Sequence, residues 1–279
     1  MKSNDEAASA RAAEGDFSYA RASGLDGVEL LDARASRKRW RVLHETFAFC
    51  TIRSGGAQFE YRRRTHDAEE GTTHLLEPGN IHRDLRAAPR NDFYVVFISS
   101  DTVAWALGVP VERVPHLKDG LSRSPLVACA VRALAEDCKH AGTPMAMRSS
   151  LSELVGTIFA DHGEACQPWL ARPDLRPVVR LIQMHYAEPL SLEDLTAAAK
   201  GVTTFHLIRS FRSTFGLTPH QYIIQQRIAR ARQLLQRPGA NVAAVAVEVG
   251  FGDQSHLHRH FVSTLGITPG QYARALGRP

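Results

Sequence analysis

Two textures of apolar residues divide the chain. From about Arg41 to Ser99 they come in short β-rich runs, and beyond Pro110 they recur every three or four positions. Thr46–Ile52, Gln58–Tyr61, Thr73–Leu76 and Phe93–Ile98 are rich in Phe, Tyr, Val, Ile and Thr, which suit a pleated surface, and are predicted strands. Ser54-Gly55-Gly56 and Pro78-Gly79-Asn80 are turns by chemistry, because Gly and Asn tolerate positive φ and Pro fixes its own. Several short strands at such spacing predict a small barrel or sandwich. Residues 1–24 hold few large apolar side chains and read as a mobile tail.

Leu126–His140 places Val127, Val131, Leu134 and Cys138 on one helical face, and Leu151–Phe159 does the same with Leu151, Leu154, Val155 and Ile158. Two such faces either close the β-rich domain or form a seam between two copies of the chain. Prolines at 168, 173 and 177 mark 167–177 as a linker. The expected organisation is an α+β multidomain chain. It comprises a tail (1–24), a β-barrel domain (25–110), a helical dimerisation or linker region (111–166), the linker (167–177) and an all-α domain (178–279).

Within that last domain the sequence repeats itself. Residues 205–222 and 255–272 align without gaps at an offset of 50, with 11 of 18 positions identical. His206-Leu207 stands over His256-Leu257, Phe211 over Phe261, Thr218-Pro219 over Thr268-Pro269, and Gln221-Tyr222 over Gln271-Tyr272. Each copy reads as helix, turn, helix. Ser191-Leu192-Glu193-Asp194 is a capping-box-like start, Leu192, Leu195, Ala198 and Ala199 give an apolar face, Gly201 permits the turn, and Thr203 caps the next helix. In the second copy Asn241 is the first cap, Val242, Val245 and Val249 form the face, and Asp253 is the second cap. Two helices joined by a short Gly-containing turn make the helix-turn-helix whose second helix enters a DNA major groove.

Helical phase then separates core from readout. Leu207 with Phe211, and Leu257 with Phe261, are four apart and face inward. That turns Phe205, Ile208, Arg209 and Arg212 outward in one copy and Gln254, Ser255, His256, His258 and Arg259 outward in the other. Arg can bond guanine bidentately, Gln can read adenine, and apolar groups can meet a thymine methyl. Each of these side chains could instead contact phosphate or solvent, and Phe205 and Ile208 could instead complete the core. Tyr222–Gln236 is a long connecting helix whose Arg227, Arg230, Arg232 and Arg237 read as a solvated face. Such a connector would hold the two probes about one duplex turn apart, ~34 Å.

Charge supports this division. The chain has 279 residues, 34 Lys+Arg against 29 Asp+Glu, and a net +5. From Arg172 onward there are 13 Lys/Arg and 6 Asp/Glu, a net +7, which leaves −2 for the rest. Only the C-terminal part is a candidate for a polyanion. Met1-Lys2 is followed by a polar, Ala-rich stretch with no apolar core, and no run approaches the roughly 18 apolar residues of a membrane span, so a cytoplasmic protein without membrane contact is expected. Cys50, Cys129, Cys138 and Cys166 are scattered and read as reduced thiols.

The stretch from about Leu190 to Arg274 resembles the paired helix-turn-helix domain of the AraC family of bacterial transcription regulators. The resemblance is carried by Gly250-Phe251-Gly252-Asp253-Gln254-Ser255-His256-Leu257-His258-Arg259-His260-Phe261 and Gly266-Ile267-Thr268-Pro269-Gly270-Gln271-Tyr272. It implies that Phe205, Ile208, Arg209, Gln254, Ser255, His256 and Arg259 face bases. Less specifically, Leu76-Glu77-Pro78-Gly79-Asn80-Ile81-His82 resembles the Pro-Gly-x-x-His turn of the cupin-like effector domain that many members carry ahead of the DNA-binding half. Together the two resemblances imply a sequence-specific regulator, an activator and homodimer that contacts double-stranded DNA and RNA polymerase and responds to a small-molecule effector. A small barrel can hold one small ligand, for which His44, Arg62, Arg64, His74 and His82 are the polar candidates. Enzymatic cupins add a His-x-His-and-Glu metal motif; nothing of that spacing occurs here, although His66, His74 and His82 are present, and no catalytic residue, metal or cofactor is expected. The alternatives are a metal-dependent cupin enzyme fused to a DNA-binding domain and a DNA-binding regulator without an effector.

Overall fold

The computed structural model describes residues 15–22, 24–140, 142–164, 175–199, 202–215 and 217–276, with the side chains of Arg176 and Ser213 excepted. The chain divides into two compact units, Met1–Gln167 and Pro168–Pro279.

Twelve strands are described in the first unit: β1 (Asp16–Arg21), β2 (Val28–Ser36), β3 (Arg41–Leu43), β4 (Phe47–Ser54), β5 (Gly56–Tyr61), β6 (Arg64–Glu69), β7 (Thr73–Leu76), β8 (Ile81–Ala87), β9 (Asn91–Ile98), β10 (His116–Leu117), β11 (Leu121–Ser122) and β12 (Gly163–Glu164). Their ladders form a six-stranded sheet, β1-β2-β9-β4-β7-β11, a four-stranded sheet, β3-β8-β5-β6, and the pair β10-β12. The expected barrel is therefore two facing sheets. Side chains meet across the gap where Phe59 of β5 stacks on His74 of β7 and Trp40 meets Phe93 of β9 edge to face.

The helices are α1 (Ser100–Leu107), α2 (Pro125–Lys139) and α3 (Pro144–His162). Strand alternation splits β9 between two cores: Phe93 faces the second sheet, while Tyr94, Val96 and Ile98 pack with Phe47, Phe49 and Leu75 against the helices. Val127, Val131, Leu134 and Cys138 of α2 and Leu151, Leu154, Val155 and Ile158 of α3 are buried in that same cluster. The two helices thus close the β-rich domain, and residues 111–164 belong to it instead of forming a separate region.

The supposed tail also needs correction. β1 lies within 1–24 and pairs antiparallel with β2 from Asp16↔Arg34 to Arg21↔Glu29. Its alternating Phe17 and Tyr19 are enough, because the partner strand supplies the rest of the apolar surface. The linker assigned to 167–177 falls mostly outside the described residues, but its end is helical.

The second unit holds α4 (Arg176–His185), α5 (Leu192–Ala198), α6 (Thr204–Phe215), α7 (Pro219–Leu235), α8 (Val242–Glu248), α9 (Gln254–Leu265) and α10 (Pro269–Leu276). Pro177 sits in the first turn of α4, where a missing N–H costs nothing. The duplication is structural as well as textual. Thr218 and Gln221 form a capping box at the start of α7, and Thr268 and Gln271 form the same reciprocal bonds at the start of α10. Phe211 meets Tyr222 at 5.8 Å and Phe261 meets Tyr272 at 5.4 Å, both edge to face. The repeated Thr-Pro-x-Gln-Tyr is thus one packing device used twice. Ser191 and Asp194 complete the predicted box on α5, and Asn241 caps α8 with two bonds. Leu195, Ala199, Val245 and Val249 are buried as expected, but Leu192 is exposed, because it lies on the outer side of the first turn. The Lys200-Gly201 turn lies outside the described residues. No described helix is long and apolar enough to cross a membrane.

Candidate nucleic-acid interface and barrel interior

Equivalent side chains start α6 and α9. The Thr203 hydroxyl accepts from the His206 N–H at 3.3 Å, and the Asp253 carboxylate accepts from the His256 N–H at 2.7 Å. With the first turn of each helix fixed in this way, Leu207, Phe211, Leu257 and Phe261 are fully buried. The opposite faces carry the predicted set: Phe205, Arg209, Arg212, Gln254, Ser255, His258 and Arg259 are exposed, and Ile208 and His256 are half-buried. Arg209, Arg212 and Arg259 have no carboxylate partner among the described residues. Three unpaired guanidinium groups on two matched helices can hold phosphate or a guanine edge.

Phe205 is 76% exposed, so it does not complete the core. An apolar ring left in water at the start of a helix forgoes about 2 kcal/mol of burial, which suits a residue that meets an apolar surface elsewhere. His256 has a second task. Its ring lies 5.1 Å from Phe251 and 5.0 Å from His260, and His260 stacks on Phe251. Burial, followed by the neighbouring His256, His220 and Arg259, lowers the proton affinity of His260.

Sequence reasoning missed Arg227. It is not on a solvated face: it is half-buried, and its guanidinium donates to the carbonyls of Tyr186 (2.7 Å), Gly250 (2.6 Å) and Glu188 (3.0 Å). One side chain therefore ties the chain after α4 to the turn before α9. Gly250 has φ +88°, and a Cβ there would collide with the Ala187 carbonyl, so only Gly fits. The signal available in the sequence was the Gly in Gly250-Phe251-Gly252; nothing local marks Arg227, because its acceptors lie 23 to 41 residues away.

In the first unit the structure brings together His44, His74 and His82 and leaves Arg62 and Arg64 apart from them. His44 and His82 share a hydrogen bond of 3.0 Å, and His82 approaches Asp84 at 3.4 Å. His74 lies opposite Cys50 in the β4–β7 register and stacks at 4.0 Å on Phe59, whose other ring neighbours are His66 at 5.0 Å and His82 at 6.2 Å. His74 is 3% exposed, and neither ring nitrogen has a hydrogen-bond partner among the described residues. Burial above all, and then the neighbouring His82, lowers its pKa to about 3. A buried polar group without a partner costs about 1–3 kcal/mol, so this imidazole is available to a polar guest. Arg62 is a turn residue whose guanidinium pairs with Glu77 and donates to the Leu117 carbonyl at 2.6 Å. Arg64 is exposed at the start of β6. No group of three or more His, Cys, Asp or Glu converges to hold a metal ion among the described residues. Cys50 and Cys138 are buried thiols and Cys129 is exposed; Cys166 lies outside the described residues.

Comparison with known proteins accounts for both halves. An AraC-like ligand binding domain model matches residues 27–155, and a helix-turn-helix domain model matches residues 196–275. The HTH-type transcriptional regulator ExsA of Pseudomonas aeruginosa is 31% identical over 159 residues, covering 54% of this chain and 56% of ExsA. The HTH-type regulator YbfI of Bacillus subtilis is 37% identical over 83 residues, 30% of either chain. The matches to these two thus span about half or less of the relatives' own length. Among solved structures, apo ToxT from Vibrio cholerae aligns over 90% of this chain and 98% of its own, with TM-score 0.58 and 12% identity. Wild-type ToxT bound to an unsaturated fatty acid aligns over 94% and 97%, with TM-score 0.55 and 14% identity. The ToxT likeness is one of fold. Since the two family models account for the sensor-like and the helix-turn-helix halves in turn, the chain belongs to the AraC family of transcription regulators.

Proposed function

We propose that this protein binds double-stranded DNA at specific sites through its C-terminal unit and regulates transcription there, with the N-terminal unit responding to a small molecule. The observation that carries the reading is the pair of helices α6 and α9, capped at equivalent positions, with the same inward Leu and Phe and with unpaired arginines outward. Phe205, Ile208, Arg209 and Arg212 then form one reading face, and Gln254, Ser255, His256, His258 and Arg259 the other. The net +7 of this part of the chain supplies the phosphate-directed attraction.

An effector site in the first unit is supported by the match to a ligand-binding domain model and by the unpartnered His74 beside His44 and His82. An effector acts only if it favours one arrangement of the protein over another. Activation, assembly as a homodimer, contact with RNA polymerase and a cytoplasmic location are implied by family membership and belong to this proposal. Selection of duplexes from a random library by the full chain, at physiological salt, tests it. Enrichment of one motif is expected, and recovery of unselected sequence would overturn it. Mapping bound DNA in the native host would then point to the regulated genes and the effector.

A further inference from the structure

A cavity of about 580 Å³ opens on the side of the six-stranded sheet that carries α2. It lies between β4, the 69–72 turn and the first turns of α2, away from the histidines that face the second sheet. Arg53, Arg123 and Arg132 line it together with Tyr94, Pro125 and Ala128, and Glu69 and Glu70 line it as well.

The three guanidinium groups are not equally satisfied. Arg53 is neutralised by Asp32 at 2.5 Å and lies over the Tyr94 ring at 4.1 Å, which builds a fixed floor. Behind that floor Lys139 bonds both Asp32 (2.7 Å) and the Tyr94 hydroxyl (2.9 Å), and this hydroxyl donates to Glu136 at 2.7 Å. Arg123 donates to the Asp67 carbonyl at 3.2 Å, and its nearest carboxylate, Glu69, lies at 4.0 Å with both side chains exposed, where screening leaves little attraction. The polar partner of Arg132 among the described residues is the Cys129 sulfur at 3.1 Å, a weak acceptor. Two guanidinium groups without a close counter-ion among the described residues therefore face a cavity whose floor is the Arg53–Tyr94 pair and whose wall is part apolar, from Ile52, Pro125 and Ala128, and part polar, from Thr51 and Thr72. Its volume falls within the range of small-molecule sites.

We infer that this cavity binds a small organic carboxylate with an apolar body. The carboxylate sits between Arg123 and Arg132, and the body lies against Tyr94, Pro125 and Ala128. Guanidinium groups present paired donors that match a carboxylate, and the apolar lining disfavours a bare inorganic anion. This site is separate from the barrel histidines and does not depend on how the C-terminal unit reads DNA.

Isothermal titration calorimetry on the full chain tests the assignment with sodium benzoate, 1-naphthoate and hexanoate as probes, against benzamide and inorganic phosphate. At least one carboxylate binds at one site per chain, with benzamide and phosphate at least about tenfold weaker. Arg123→Gln and Arg132→Gln each weaken the carboxylate about tenfold or more, as loss of a charge-assisted bond requires. Both side chains are exposed, so far-UV circular dichroism of these variants stays unchanged. Arg86→Gln, in a separate basic cleft with Arg37 and Arg39, leaves the affinity unchanged. DNA binding without probe is the same in all three variants. No heat from any carboxylate, equal binding of benzamide or phosphate, or loss of binding in Arg86→Gln would each overturn the inference.

Discussion

Replacing Arg227 by Ala removes three donors at once. Two of the bonds, to Tyr186 and Gly250, are short and partly buried, and the third, to Glu188, is solvent-facing. Hydrogen bonds from a charged donor contribute about 1.5–3 kcal/mol each in mutational series, and the exposed one counts for less. The two inner bonds alone set a loss of about 3–6 kcal/mol, a large part of the 5–15 kcal/mol that holds a typical domain together. At roughly 4–8 °C per kcal/mol for a domain of this size, the melting transition falls by at least about 12 °C. Arg227→Lys keeps one cation but loses the fork, and falls by roughly half as much. Scanning calorimetry of the full chain, with and without a bound duplex, makes the measurement, because the transition raised by DNA is that of the C-terminal unit. A shift of that transition below about 2 °C in Arg227→Ala would refute the claim that this side chain holds the two helix-turn-helix elements in place.

Gly250→Ala strains a left-handed position and drives a Cβ against the Ala187 carbonyl; a loss above about 2 kcal/mol in denaturant unfolding is expected, and a neutral result would mean the turn is free to relax. Arg259→Ala is expected to weaken the selected site by about 1–3 kcal/mol while relaxing preference at one base pair, whereas equal weakening on every duplex would assign Arg259 to phosphate. His74 gives a pH dependence of known sign. Folded, it stays neutral down to about pH 3, whereas the unfolded chain takes up a proton near its ordinary pKa of 6.5. Between those values the unfolded state binds more protons, so stability of the N-terminal unit falls as pH drops from about 6.5 toward 3, by up to about 5 kcal/mol. His74→Phe flattens that slope in urea titrations at pH 7 and pH 4; an unchanged slope would contradict the assignment.

What the sequence disclosed and what it hid have separate physical causes. The duplicated unit was legible because each of its contacts is made twice: Thr203 and Asp253 as caps, Thr-Pro-x-Gln as a box, Phe211 and Phe261 against Tyr222 and Tyr272. Helical phase then decided which side chains face out; it erred at the first-turn residue Leu192, which is exposed, and on the connecting helix at Arg227 and Arg232, which are half-buried and bonded to backbone carbonyls and to the Tyr272 hydroxyl. β1 was hidden because an edge strand with two aromatic residues among polar ones needs its partner to be recognised. Pro177 reads as a breaker in a sequence and as a helix start once α4 is seen. Arg227 and the His44–His82 pair depend on groups 23 to 41 residues away, beyond any local pattern. His66, His74 and His82 were visible as residues, but their burial against Phe59 is set by sheet pairing alone.

The most direct test of DNA reading by two helices is hydroxyl-radical footprinting of the full chain on a duplex chosen by selection, at physiological salt. Two protected patches on one face of the duplex, centred about 10 base pairs apart, are predicted, with Arg209→Ala fading one and Arg259→Ala fading the other. A single patch, or one that both substitutions weaken alike, would contradict the claim that α6 and α9 read the same DNA side by side.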